Sequence, residues 1–252
     1  MNNYSGKYLL GGIAICIESI YSEVQVMCKD YSTELVPELT ISTTMADIEE
    51  EGRMSDEQRK LEGLPECHYQ APYLETLAVY RQLATAALSR GVMLIHGSVI
   101  AVDGEGFLFT ALSGTGKSTH VRLWRELFGE RAVMVNDDKP LVRISEGERP
   151  LVYGTPWDGK HHLSNNISVP LRAVVILERG TENSIHPVSA QEAFPTLLQQ
   201  SFRPEEPMLT MKALQLLSLL SEQVGLYRLH CNMQPEAARV AYEGIITSSF
   251  TR

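Results

Sequence analysis

Apolar positions along the chain recur with two periods, and the switches between them lay out the predicted elements. Residues 8–18 and 23–28 are rich in Ile, Val and Leu around a Ser-Glu turn and predict two β-strands. Residues 44–70 differ: Asp47, Glu49, Glu50, Glu51, Arg53, Asp56, Glu57, Arg59 and Lys60 stand among few apolar anchors, which predicts a solvated loop or a short surface helix. From Tyr73 to Arg90 the residues Tyr73, Leu77, Tyr80, Ala84 and Ala87 return at helical spacing, and Gly91 supplies the stop. Strands follow at 92–95 and 98–102, then a turn at 103–106 and a buried strand at 107–110. Leu123, Trp124 and Leu127 mark one face of a helix over 120–128. Further strands are predicted at 132–135, 141–144, 151–153 and 172–178, with Gly147 and Pro150 turning the chain between the second and third. Helices at 190–201, 208–223 and 235–247 flank a last strand at 226–230. The sum predicts an α/β core with a helical C-terminal part, divided into a small β-rich N-terminal part over 1–72 and a main domain over 73–252.

Composition narrows the classes. An apolar fraction of 44% in 252 residues supplies a packed core, and no internal repeat or low-complexity segment interrupts it. A net charge of -9 without any Lys/Arg-rich cluster argues against nucleic acid or an anionic membrane as partner. Cys16, Cys28, Cys67 and Cys231 lack metal-ligand or redox spacing and read as reduced packing residues. The apolar stretch Leu9 to Ile17 is too short to span a bilayer and carries no cleavage pattern, so a cytoplasmic protein is expected.

One segment points to chemistry. Residues 111–119 read Ala-Leu-Ser-Gly-Thr-Gly-Lys-Ser-Thr between a predicted strand and a predicted helix, the context of a phosphate-binding loop. Ala111 stands where the usual wording has Gly, the smallest available departure. Ser113, Gly114, Thr115, Gly116 and Thr119 would wrap backbone amides around a polyphosphate. Lys117 would reach its terminal phosphates and Ser118 would ligate magnesium. Such a loop needs an acidic residue at the end of a neighbouring strand, and Asp137-Asp138 close an apolar strand 20 residues after Lys117. One carboxylate can hold the metal while the other accepts a proton. Gly154-Thr-Pro-Trp-Asp-Gly-Lys160 is a third candidate, able to cover a nucleotide, stack Trp157 on a base and present Lys160 to a phosphate.

The order His96-Gly97, hairpin, Ser113-Gly-Thr-Gly-Lys-Ser118 and Asp137-Asp138 resembles the catalytic domain of HPr kinase/phosphorylase. The loop and the Asp pair are also similar to the nucleotide site of ATP-dependent phosphoenolpyruvate carboxykinase, which shares that fold. The resemblance covers about residues 92–180. It implies a P-loop core with a mixed sheet, ATP and Mg2+ as cofactors, Asp137 as general base assisted by His96 and Lys117, and Ser118 and Asp138 near the metal, with the two Asp roles open to exchange. The Gly-rich signature by which HPr kinases engage their protein substrate has no counterpart after Asp138, and the N-terminal part is shorter than theirs. The resemblance thus implies an ATP-dependent kinase with a different hydroxyl acceptor, a serine of a protein or peptide. A small-metabolite kinase and a non-catalytic nucleotide-dependent assembly factor are the alternatives, and self-association is left open.

Overall fold

A computed structural model of the chain describes residues 3–61, 63, 65, 67–159 and 161–248. The chain divides into two compact units, Met1–Ala87 and Leu88–Arg252, a border at the end of the 71–88 helix, whereas the sequence pattern puts one at 72/73.

In the first unit, β1 (Tyr4–Leu10) and β2 (Ile13–Ser19) form an antiparallel hairpin, and β3 (Leu39–Ser42) runs parallel to β2. Residues 23–28, predicted as a strand, are instead the short helix α1 (Glu23–Cys28). The alternation Val24, Val26, Cys28 suits either structure, because Val24 and Cys28 are also i,i+4 neighbours. Both are buried, whereas Val26 is 67% exposed, which is the helical solution. The charged stretch forms α2 (Met45–Leu61), 17 residues long rather than a short helix or loop. A reciprocal cap starts it: Thr44 N and Oγ1 donate to Asp47 Oδ2 at 2.7 and 2.6 Å, and Asp47 N donates back to Thr44 Oγ1 at 3.3 Å. In α3 (Ala71–Leu88), the fully buried Glu75 accepts from Ile20 N at 2.6 Å, Tyr21 N at 2.8 Å and Thr43 Oγ1 at 2.5 Å. One carboxylate therefore ties α3 to the ends of β2 and β3.

The second unit holds, in chain order, β4 (Val92–Leu94), β5 (Ser98–Val102), β6 (Glu105–Thr110), α4 (Lys117–Phe128), β7 (Ala132–Asn136), β8 (Leu141–Arg143), β9 (Leu151–Tyr153), β10 (Ser168–Arg179), β11 (Ser184–Pro187), α5 (Ala190–Gln200), α6 (Pro207–Gln223), β12 (Gly225–Cys231) and α7 (Glu236–Thr247). Its strands make one mixed sheet of nine among the described residues. The long β10 organises it. Ser168–Pro170 pairs antiparallel with β9, which continues to β8 and β4; past a register shift, β10 runs parallel to β6 on one side and to β12 on the other. β5 and then β7 continue antiparallel beyond β6, and β11 is antiparallel to β12.

The C-terminal part is thus not simply helical: β12 is an interior strand, and β11, absent from the sequence pattern, pairs with it. Alternation along β10 splits the core. Val174 and Ile176 pack with Ala193 and Leu197 of α5 and Leu216, Leu217 and Leu220 of α6. Ala173, Val175 and Leu177 pack with Trp124 of α4 and Ala238, Ala241 and Ile245 of α7. The result is an α/β unit with helices on both faces of a mixed sheet. No helix among the described residues is long and apolar enough to cross a membrane.

Candidate functional site

Strand directions bring the chemistry to one edge. β6, β10 and β12 are parallel, and β7, antiparallel to β5 as β5 is to β6, runs the same way. The carboxyl ends of these four strands and the start of β5 therefore share an edge, the side on which open α/β sheets bind ligands. The loop before α4, Asp137-Asp138 after β7, Arg179 at the end of β10 and His96 before β5 all emerge there.

The loop turns at Gly114 (φ 75°) and Gly116 (φ 120°), conformations that a side chain would strain. Gly116 precedes α4, and no side chain caps the helix start. The first-turn amides thus lack a side-chain cap, and the helix dipole makes the position favourable for an anion. Lys117 Nζ donates to Ala111 O at 3.0 Å and Leu112 O at 3.5 Å, and Thr115 Oγ1 donates to Leu112 O at 2.8 Å. Burial lowers the Lys117 pKa, while the charges of Asp138 and Asp137 oppose that shift. Ser113 and Ser118 are exposed. Arg179 braces the turn by donating to Gly114 O at 2.5 Å and Thr115 O at 3.4 Å.

The Asp pair is held by side chains that carry no motif. Buried Asn136 accepts through Oδ1 from Asp138 N at 2.9 Å and Lys139 N at 2.7 Å, and donates through Nδ2 to Thr155 O at 3.0 Å. This bracket ties the acidic turn to the Gly-Thr-Pro loop. Asp137 Oδ1 accepts from Ser98 Oγ at 2.6 Å. His96 meets Asp138 rather than Asp137: its Nε2 lies 3.2 Å from Asp138 Oδ1, and its Nδ1 lies 3.0 Å from the side-chain oxygen of buried Gln200. A carboxylate only accepts, so Nε2 carries a proton. The Gln200 amide offers an acceptor and, flipped, a donor, which suits either charge state of the ring. Burial tends to raise the Asp138 pKa, but the His96 hydrogen bond and the charges of Lys139, His96 and Lys117 outweigh it and hold the carboxyl below its ordinary value.

Two cavities flank the start of α4. One of about 370 Å³ is lined by Ser118, Arg122, Arg125, Asp137 and His161. The other, of about 480 Å³, is lined by Gly114–Gly116, His120, Leu123, Arg179 and Met233. Thr119 borders both. In the Gly-Thr-Pro loop, Trp157 is 5% exposed and so presents no face for stacking. Gly159 lies against the acidic turn, where a Cβ would come within 2.9 Å of Asp137 O. Lys160 lies outside the described residues. Ser98, Asn136, Gln200 and Arg179 are contributions that no motif flags.

A family model described as SynChlorMet cassette protein ScmC matches residues 72–232, more than half of the chain. No curated protein matches it. The chain also aligns with the structure of the Hpr(Ser) kinase/phosphatase from Coxiella burnetii, over 61% of this chain and 96% of that one, at 10% sequence identity and a TM-score of 0.29. At that score the likeness carries no argument.

Proposed function

The chain belongs to the SynChlorMet cassette protein ScmC family, and we propose that it is an ATP-dependent kinase with a P-loop core, transferring the γ-phosphoryl group to a hydroxyl, most simply a serine of a protein or peptide. One observation carries the reading: an uncapped helix start behind a Gly-rich loop, a lysine, two carboxylates and a histidine arrive together at the ligand-binding edge of the sheet.

The residues divide the work. The amides of Ser113 to Thr119 and the Lys117 ammonium cradle the polyphosphate. Ser118 and Asp137 present hard oxygens to one cavity, a donor set that suits magnesium, which takes one or two protein oxygens beside the substrate phosphates. Magnesium held there would neutralise charge on the β- and γ-phosphates. Asp138, kept ionised and oriented by His96, accepts the acceptor's proton as its oxygen bonds to the γ-phosphorus and the bond to ADP breaks. This assignment exchanges the roles that the resemblance gives the Asp pair, because His96 and Ser118 stand beside different members of it.

Incubation with γ-labelled ATP, magnesium and host lysate tests the proposal, with Lys117→Ala as control. Label in a protein or peptide band, absent with the variant, is the expected result. Label in a small molecule would make this a metabolite kinase, and release of free phosphate alone would favour a nucleotide switch. Failure of the wild-type chain to bind ATP would remove the reading altogether.

A further inference from the structure

The larger cavity lies on the other face of α4 from the Asp137 cavity. Ser118, Val121, Arg122 and Arg125 line the smaller space and His120 and Leu123 the larger one, with Thr119 bordering both. At 100° per residue these sets project from opposite sides of the helix. A triphosphate whose transferable end faces the Asp pair would extend its other end toward the larger space. At about 480 Å³ that cavity falls in the usual range for small-molecule sites, roughly 300–1,000 Å³.

His120 supplies an independent sign of a ligand there. His120 is 2% exposed and is one of the residues that line the cavity. Trp124 Nε1 donates to His120 Nε2 at 3.0 Å. An indole N–H only donates, so Nε2 bears the lone pair and the neutral ring carries its hydrogen on Nδ1. That Nδ1 is buried and meets no hydrogen-bond partner. Buried donors are paired almost without exception, so an orphan donor on a residue that lines a cavity points to an acceptor that arrives with a ligand. Arg179 adds a planar guanidinium held by the carbonyls of Gly114 and Thr115, a surface on which a flat ring stacks. Leu123 and Met233 contribute apolar wall.

We propose that this cavity is the nucleoside subsite, in which the His120 Nδ1–H donates to a ring or carbonyl acceptor of the nucleobase and Arg179 stacks against it. The inference rests on the kinase reading, but it can fail separately. Calorimetry on the full-length chain compares ATP with inorganic tripolyphosphate, which shares the phosphates and lacks the nucleoside. Stacking and one buried hydrogen bond should make ATP bind at least about tenfold tighter. His120→Phe should narrow that gap while tripolyphosphate affinity holds. Because His120 is buried and the variant can fail to fold, Met233→Trp is the second arm. Met233 is 77% exposed at the cavity rim, so bulk there leaves the fold intact and should also narrow the gap. Equal affinities in the wild type, or an unchanged gap in Met233→Trp, would overturn the nucleoside subsite and leave the phosphate loop standing. No binding of either ligand would overturn the kinase reading itself.

Discussion

Opposing forces act on Lys117: burial disfavours its charge, and Asp138 and Asp137 favour it. Its ammonium donates to the loop carbonyls of Ala111 and Leu112, so Lys117→Ala should lower ATP affinity by at least about tenfold and move the melting temperature by no more than about 2 °C. Calorimetric titration and thermal melting on the same sample check this. Asp138 makes a sharper test, since its folded carboxyl sits below the ordinary value through His96, Lys139 and Lys117. Such a group adds stability above its unfolded value, about 3.9, and the contribution is lost as pH falls through the lower folded value. Melting temperatures measured from neutral to acid pH should therefore drop less steeply for Asp138→Asn than for the wild type. At neutral pH the same variant should lose turnover by about a hundredfold or more with ATP affinity nearly kept. His96→Ala should also lower turnover, without adding to Asp138→Asn, because the two act as a unit. Additive losses, or coupling of His96 to Asp137 instead, would return the base role to Asp137.

At the scale of elements, legibility followed length and chemistry. The helix at 71–88 and the hairpin at 98–110 stand out in the apolar pattern because their periods persist over several turns or across two strands. α1 did not, since five residues of alternation cannot separate period two from i,i+4. The start of α2 was in principle readable from Thr44-Met-Ala-Asp47, whose reciprocal cap is a sequence signature, but the apolar anchors that usually define a helix's length are sparse there. Glu75 was not readable at all. Within a helix it looks like a surface carboxylate, yet it is buried and accepts three hydrogen bonds. Glu75→Ala should cost about 2–4 kcal/mol by leaving two backbone amides and a hydroxyl without their acceptor. Urea denaturation measures the loss, and a change under about 1 kcal/mol would mean that water replaces the carboxylate.

For the molecule as a whole, every residue assigned a role in ATP binding or transfer lies in the unit Leu88–Arg252. That unit has cores on both faces of its sheet. A fragment of residues 88–252 should therefore fold cooperatively and bind ATP within a few-fold of the full chain, as judged by a single denaturation transition and calorimetry. A fragment that folds but no longer binds would show that the first unit contributes to the site.

The sequence by itself determined the local chemistry: the Gly-Thr-Gly-Lys-Ser loop between a strand and a helix, the acidic pair closing a strand, and an α/β succession of elements. Those signals are local because backbone turning, helix capping and strand periodicity are set by neighbours in the chain. Tertiary structure alone decided which distant side chains meet. It gave His96 to Asp138 and set Ser118 and Asp137 on one cavity, through the antiparallel placement of β5 between β6 and β7. It also made β12 an interior strand beside β10 and turned Trp157 inward. Pairing order and burial arise from contacts between residues tens of positions apart, and hydrophobic period carries no information about which strand will be whose neighbour.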